Sequence, residues 1–243
     1  MIDNPRVELF GDRIGAVEYI KHSGDDLTVV NAARVSFGSH KSSLDERDEK
    51  LIKYLADHNH SSPFEHCNIT FRFTVPLFIR SQHHRHRTWA YNEISRRYTS
   101  VGMSFYEPAQ FRVQHASNRQ ASSDKLINPD MNYASSNESQ HLLPRPPDHA
   151  SEAIKRHHLS CMKLYEDLLS VGVCREQARG VLPQNLYTEY YGTVSLHNLV
   201  KFISLRSHSG AQWEIQQVSN ACAQIAFECF PVSMTAFQNK TGT

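Results

Sequence analysis

The order of periodicities along these 243 residues predicts an α+β fold. Three observations carry this. Ile69, Phe71, Phe73 and Val75 alternate with Asn68, Thr70, Arg72 and Thr74, the pattern of a strand with one buried face. Ile154, His158, Met162, Tyr165 and Leu169 recur every three or four residues, the pattern of an amphipathic helix. The chain contains no Gly-x-Gly-x-x-Gly and no P-loop, so nothing points to a doubly wound nucleotide-binding sheet.

Taken in order, residues 7–20 set Val7, Leu9, Val17, Tyr19 and Ile20 around Gly11 and Gly15, which predicts a short hairpin. Asp25 or Asp26 caps a helix reaching Ser36, with Val29, Val30, Ala33 and Phe37 on its buried side. Ser43 followed by Glu46 reads as a capping box, opening a helix that turns Leu51, Ile52 and Leu55 inward. Asn59–Pro63 is a turn. Pro76 suits the first position of a helix through Leu77, Phe78 and Ile79. That helix would carry Gln82, Arg85 and His86 on one face. At about 112–150 polar residues and proline displace apolar ones, which predicts a polar insertion or mobile loop within one domain spanning 1–243. Beyond it lie the helix of residues 154–169, a short one near Arg175–Val181, one capped by Ser195 and reaching Arg206, and a long one over 211–230, ending before Pro231.

Bulk composition narrows the function classes. Hydrophobic residues make up 40% of the chain, enough for a real core. The net charge of +1 supplies no global field toward nucleic acid or a membrane. Cys67, Cys161, Cys174, Cys222 and Cys229 form no Cys-x-x-Cys pair and are odd in number, which fits reduced thiols in the cytoplasm. No apolar run approaches the roughly 20 residues that span a bilayer, and the N-terminus has no apolar signal region.

Against that neutral background, residues 82–98 stand out. Arg85, Arg87, Arg96 and Arg97 fall within thirteen residues, with His83 and His84 just before them, His86 among them and only Glu93 in opposition. Guanidinium forks at this density suit phosphate oxyanions. Three other readings compete. Such a stretch can be a solvated, ion-paired face. It can be a nucleic-acid-binding module with Trp89, Tyr91 and Tyr98 as stacking groups. The histidines here, with His58, His60 and His66, can suggest a metal site and a hydrolase, although the adjacent arginines would repel a cation.

Arg85-His86-Arg87, seven residues, then Ser95 resembles the hallmark of the flavin-dependent thymidylate synthases (the ThyX family). Other segments agree: Ala32-Ala33-Arg34-Val35-Ser36-Phe37, His60-Ser61-Ser62-Pro63-Phe64-Glu65-His66, Ala178-Arg179-Gly180-Val181-Leu182-Pro183, and 205–215 from Leu205-Arg206 to Glu214-Ile215. The resemblance covers about residues 27–110 and 150–235. It implies a ThyX-type α+β fold, an antiparallel or mixed sheet packed against several long helices. It implies reductive methylation of deoxyuridylate (dUMP) to thymidylate (dTMP), with methylenetetrahydrofolate as carbon donor and FAD, reduced by NADPH, as hydride carrier. It implies a homotetramer with shared sites and no nucleophilic cysteine.

Matched position by position, the resemblance assigns FAD to His60, Ser62, Arg85, His86, Arg87, Glu93, Ser195, Leu196, His197 and Lys201. It assigns the nucleotide to Gln82, His83, His84, Arg85, Glu93, Ile94, Ser95, Arg96, Arg97, Arg179 and Arg206. Arg206 takes the catalytic role at the uracil edge, and no metal is implied. Two departures stand out. Arg96 replaces a small residue, so its side chain must leave the site or add a contact. Gly210 stands where some members have histidine, leaving room for folate or another residue.

Overall fold

The computed structural model describes residues 2, 5–131 and 148–241. The fold is α+β, and the described residues form two compact units. One takes the chain up to Val75 with Ile79–Glu93 and everything from Thr188; the other takes Pro76–Phe78 and Ile94–Tyr187.

In chain order the strands are β1 (Arg6–Glu8), β2 (Ala16–Ser23), β3 (Asn68–Pro76), β4 (Ala90–Glu93), β5 (Phe111–Gln114), β6 (Ser122–Ile127), β7 (Asp130–Met131), β8 (Asp148–His149) and β9 (Tyr187–Ser195). The helices are α1 (Asp26–Arg34), α2 (Glu46–Asp57), α3 (Ser62–Glu65), α4 (Leu77–His83), α5 (Ala150–Ser170), α6 (Arg175–Ala178), α7 (Leu196–Arg206), α8 (Trp213–Cys229) and α9 (Pro231–Thr241).

The first unit is built on a sheet of order β1-β2-β3-β9-β4. The pairs β1–β2, β2–β3 and β4–β9 are antiparallel. Ile69, Phe71, Phe73 and Val75 of β3 are fully buried, as the alternation predicts. Thr70, on the opposite face, is buried too, and its hydroxyl pairs with that of Thr193 in β9 at 2.9 Å. A strand covered on both sides must satisfy its buried hydroxyls in this way. β9 was not expected. Its polar alternates hide the strand, yet Tyr187, Thr188, Tyr190 and Val194 are buried. Gly192 is required there, because a Cβ would lie 2.9 Å from Phe73 and 3.1 Å from Trp89.

Helix boundaries depart from the sequence reading where charged partners compete. The cap of α2 is Asp45, not Ser43: its carboxylate accepts from the Asp48 amide at 3.1 Å, and Asp48 reciprocates at 3.1 Å. Arg34 and Lys41 both bind the buried Asp48, which fixes the cap two residues later than expected. Contact with Lys41 and the backbone donors lowers the Asp45 pKa to about 2. α1 stops at Arg34, and a 3₁₀ turn with Gly38 at φ 60° swings Phe37 out, 87% exposed. α4 stops at His83, so Arg85 and His86 lie beyond it rather than on its face.

Pro231 opens a helix as well as following one. α9 begins there, with proline at its first position. The two candidate caps near the start of α1 divide the work. Asp25 caps α1 by accepting from the Thr28 amide at 2.8 Å. Asp26, 4% exposed, turns away and accepts from the Val232 and Ser233 amides, each at 2.9 Å, and from the Ser233 hydroxyl at 2.5 Å. α9 is thereby fastened to α1 and packs along α2.

In the second unit, α5 buries His158 and Tyr165. His158 Nδ1 meets Glu107 at 2.8 Å, and its ring stacks on Phe105 at 4.5 Å. The polar stretch expected to be a loop contains an antiparallel hairpin, β5–β6. Side-chain bonds to the turn replace apolar packing: the Gln114 amide donates to the Asn118 and Ala121 carbonyls, at 3.1 and 2.9 Å. Residues 132–147 of that stretch lie outside the described residues. Among the described residues no helix is long and apolar enough to cross a membrane.

Asp26→Ala is expected to destabilise the protein by about 2–3 kcal/mol and Asp25→Ala by about 1 kcal/mol, because only Asp26 leaves buried donors unpaired. Urea denaturation of the two variants checks this, and equal losses would remove the special role of Asp26.

Candidate active site

The arginine-histidine motif begins where α4 ends. Three tight turns follow: His84 N–H to Arg80 O at 2.9 Å, Arg85 N–H to Gln82 O at 3.2 Å and His86 N–H to His83 O at 2.9 Å. They send neighbouring side chains in opposite directions. Arg85 and Arg87 are exposed, whereas His83 has no exposed surface.

His83 sits inside an aromatic cage. Its Nδ1 pairs with the Tyr190 hydroxyl at 2.8 Å. Phe73 and Trp89 approach it edge-on at 4.8 and 4.5 Å, and Phe202 lies at 4.8 Å. Burial pushes its pKa well below the usual histidine value, with His86, His84 and Arg206 adding to the shift, so the ring is neutral. Its Nε2 is buried with no hydrogen-bond partner. The His83 imidazole is therefore a core group in this structure, and a nucleotide contact at His83 would have to come from its backbone. Trp89, 6% exposed, is likewise interior. Tyr91 lies parallel to Trp89, 4° apart in plane, and donates its hydroxyl to the His83 and His86 carbonyls at 3.0 and 3.2 Å. Neither ring forms an open stacking platform. Of the three aromatics interleaved with the arginines, only Tyr98 is exposed, at 78%.

His86 meets Arg206 across 120 residues of sequence, with Arg206 Nε donating to His86 Nε2 at 3.0 Å. An accepting Nε2 assigns the ring proton to Nδ1. Burial, then Arg206, lower the His86 pKa, and burial lowers that of Arg206. Phe202, one turn back along α7, holds the imidazole edge-on at 4.9 Å. Nearby, the Gln82 and Gln212 carboxamides bond to each other, and Gln212 donates to Glu214 at 2.9 Å. Glu93 Oε1 accepts from Arg80 Nε at 3.1 Å and from the Thr188 hydroxyl at 2.7 Å. His84 lies 4.0 Å from the Tyr91 ring, its pKa lowered by burial and then Arg80, with Glu93 opposing.

The segment assigned to FAD gathers at the start of α7, against which α3 packs. Ser195 occupies the N-cap position, but its hydroxyl accepts from the Asn198 side chain at 3.1 Å rather than from the backbone. His197 and Lys201 lie one turn apart. Burial lowers the His197 pKa, Lys201 adds to that, and Glu65 from α3 opposes it. His60 and Ser62 are exposed. Leu196 is the exception: it is fully buried, and its N–H donates to the Cys67 carbonyl at 2.8 Å. Its side chain belongs to the core.

The second unit holds Ile94, Ser95, Arg96, Arg97 and Arg179. Arg97 and Arg179 converge on Glu176: Arg97 Nη2 meets its carboxylate at 3.2 Å, and Arg179 Nε donates to its carbonyl at 3.3 Å. Arg96 donates to the Val101 carbonyl at 2.8 Å and to the Tyr187 carbonyl at 3.4 Å, so this departure from the motif braces backbone. The Ser95 hydroxyl accepts from the Arg97 amide at 3.3 Å. In the first unit, the space beside Gly210 is taken by His208, whose Nδ1 accepts from the Gly210 amide at 2.9 Å.

Sequence reasoning missed Tyr190, Thr188, Phe202, Arg80 and Glu176. The tyrosines preceding Gly192 were the available signal for β9; nothing local marks Glu176. All five cysteines are free. Burial pushes Cys67 and Cys229 up to about 12, and Cys222 well above its ordinary value. These buried thiols resist forming the thiolate a nucleophile needs. Among the described residues, no group of three or more His, Cys, Asp or Glu is placed to hold a metal ion.

Residues 18–232 match the family described as Thy1, thymidylate synthase complementing protein. The flavin-dependent thymidylate synthase of Thermus thermophilus is 42% identical over 224 residues, 92% of this chain and 76% of that protein. The chain belongs to the flavin-dependent thymidylate synthase family. The Thermotoga neapolitana member of that family is 39% identical over 92% of this chain and 90% of its own length. Among solved structures, the UMP/dUMP methylase PolB from Streptomyces cacaoi, bound with 5-bromo-dUMP, superposes with a TM-score of 0.76 at 31% identity, covering 98% of this chain and 99% of that one. The α+β arrangement is thus the ThyX-type fold.

Several imidazoles of this family member, His83, His84, His86 and His197, have pKa values lowered by burial. A histidine depressed in the folded state favours unfolding once the pH falls below the unfolded value of about 6.5. Stability is therefore expected to fall as pH drops from about 6.5 toward the folded-state values, and His86→Gln should flatten part of that slope. Denaturant titrations between pH 5 and 8, roughly spanning histidine titration, check this; stability that is level across the range would contradict the neutral assignments.

Proposed function

We propose that this protein makes dTMP by reductive methylation of dUMP, taking the carbon from methylenetetrahydrofolate and the hydride from FAD reduced by NADPH. The observation that carries the reading is the bond between Arg206 and His86, which joins the two motifs assigned to the reaction. The enzyme names of the relatives, and the nucleotide named for the solved methylase, support the substrate.

The surface around the motif fits a flavin. Arg85 and Arg87 are exposed on either side of a neutral imidazole. His60, Ser62, His197 and Lys201 add donors suited to a pyrophosphate and to the electron-rich edge of a reduced ring. Bound FAD would supply two-electron hydride chemistry that no side chain offers. The residues bind and polarise. Arg206, held at Nε by His86, presents its Nη fork to the N3–O4 edge of uracil and stabilises negative charge in the ring. Arg97 clamps the nucleotide phosphate, Arg179 the uracil or ribose side. Glu93, oriented by Arg80 and Thr188, lines the boundary between the two ligands. Completion of the site by neighbouring subunits of a homotetramer belongs to the same reading.

An absorbance spectrum tests it directly. The purified protein is expected to show oxidised flavin bands that bleach with NADPH. A colourless protein that binds oligonucleotides with steep salt dependence would favour a basic-patch function instead. Arg206→Ala should lower methyl transfer at least about a hundredfold with flavin retained; loss of flavin would misplace the arginine. Glu176→Gln frees Arg97 of an exposed ion pair and should tighten dUMP up to about fivefold. Isothermal titration measures that gain, and weaker binding would deny Arg97 the phosphate.

A further inference from the structure

The turn that carries His60 and Ser62 is held from an unexpected direction. α2 ends at Asp57 with His58 as its cap; Asn59 follows in the left-handed conformation at φ 59°, and the His60 amide closes back onto the Leu55 carbonyl at 2.9 Å. This is the Schellman arrangement, which usually places glycine at the left-handed position. Asn59 occupies it at a conformational cost, and the Ala56 carbonyl, which accepts the Asn59 amide at 3.3 Å, keeps acceptor capacity for a second donor. Lys240 serves both positions. From the last turn of α9, its ammonium donates to the Ala56 carbonyl at 2.6 Å and to the Asn59 side-chain oxygen at 2.7 Å. A cation at a helix C-terminus also sits in the favourable field of the backbone dipoles.

We propose that Lys240 is a positioning residue for flavin binding: through Asn59 it fixes the direction in which the chain leaves α2, and so where His60 and Ser62 stand. The proposal rests on the flavin reading of those two residues. His60 is oriented only loosely by its neighbours, with the Tyr54 ring 5.9 Å away and the His58 ring at 6.5 Å, both on exposed surface. The backbone is therefore what sets its position. α9 is in turn anchored at its other end by Asp26 and packs along α2, so Lys240 reaches the turn from a helix held by α1 as well as by α2.

FAD titration of the deflavinated full-length chain, followed by flavin fluorescence, provides the test. Lys240→Met is expected to raise the Kd about tenfold, the effect of one lost charge-assisted bond. Lys240→Arg, which keeps the charge and the donors, should bring it back to within about threefold. In an Asn59→Gly background, where the backbone no longer needs the side-chain bond, Lys240→Met should cost less than it does alone. An unchanged Kd in folded Lys240→Met overturns the proposal. So does a lower unfolding midpoint with no change in Kd, or a loss that arginine does not rescue. His60→Ala and Ser62→Ala separate the two levels. If neither weakens FAD, the flavin reading of the turn falls and Lys240 falls with it. If they do and Lys240→Met does not, only the Lys240 proposal fails.

Discussion

The arginine motif depends on a buried neutral imidazole. His83 touches β3 through Phe73, β9 through Tyr190 and α7 through Phe202, and Trp89 covers its edge just before β4. The sheet and the helix that brings Arg206 are thus registered on one ring. A hydrophobic residue could fill the volume, but only a group with a donor or acceptor at Nδ1 can satisfy the Tyr190 hydroxyl, which is itself buried. Gly192 is the complementary concession, a missing side chain that lets Phe73 and Trp89 close around the ring.

Charge control follows from that packing. Four arginines within thirteen residues would repel one another and any charged histidine between them. Burial keeps His83, His84 and His86 uncharged, which limits the positive charge to guanidiniums with assigned partners or open faces. Arg80 goes to Glu93, Arg97 to Glu176, and Arg96 to backbone carbonyls, while Arg85 and Arg87 face outward. The motif is therefore a sorted set of cations rather than a diffuse basic patch. The near-neutral total charge agrees with that sorting.

Much of this was legible in the amino-acid pattern, and the failures have identifiable causes. β3, α5 and α7 are clear because their apolar residues keep a single period. β9 is hidden because a strand between two neighbours can bury threonine and tyrosine as readily as valine, provided the hydroxyls pair. α9 is hidden because Pro231 was read as a stop, when a proline can equally stand first in a helix. The motif residues could be picked out by resemblance, but not the direction of each side chain. His83 and Leu196 are held by partners more than 100 positions away, the Tyr190 hydroxyl in one case and the carbonyl of Cys67 in the other. Glu176 carries no local signature at all, since its meaning comes only from the two arginines that meet it.

The chain has two tryptophans. Trp213 lies beside Phe10, with ring centres 6.1 Å apart. Trp89 is sealed against His83, its indole N–H buried and unpaired. This second fluorophore is a built-in optical gauge: its emission maximum reports the dryness of the cage under the motif, with no label attached. Blue-shifted light from Trp89 would signal an intact cage, and a shift to the red would mark water reaching it before the rest of the sheet comes apart.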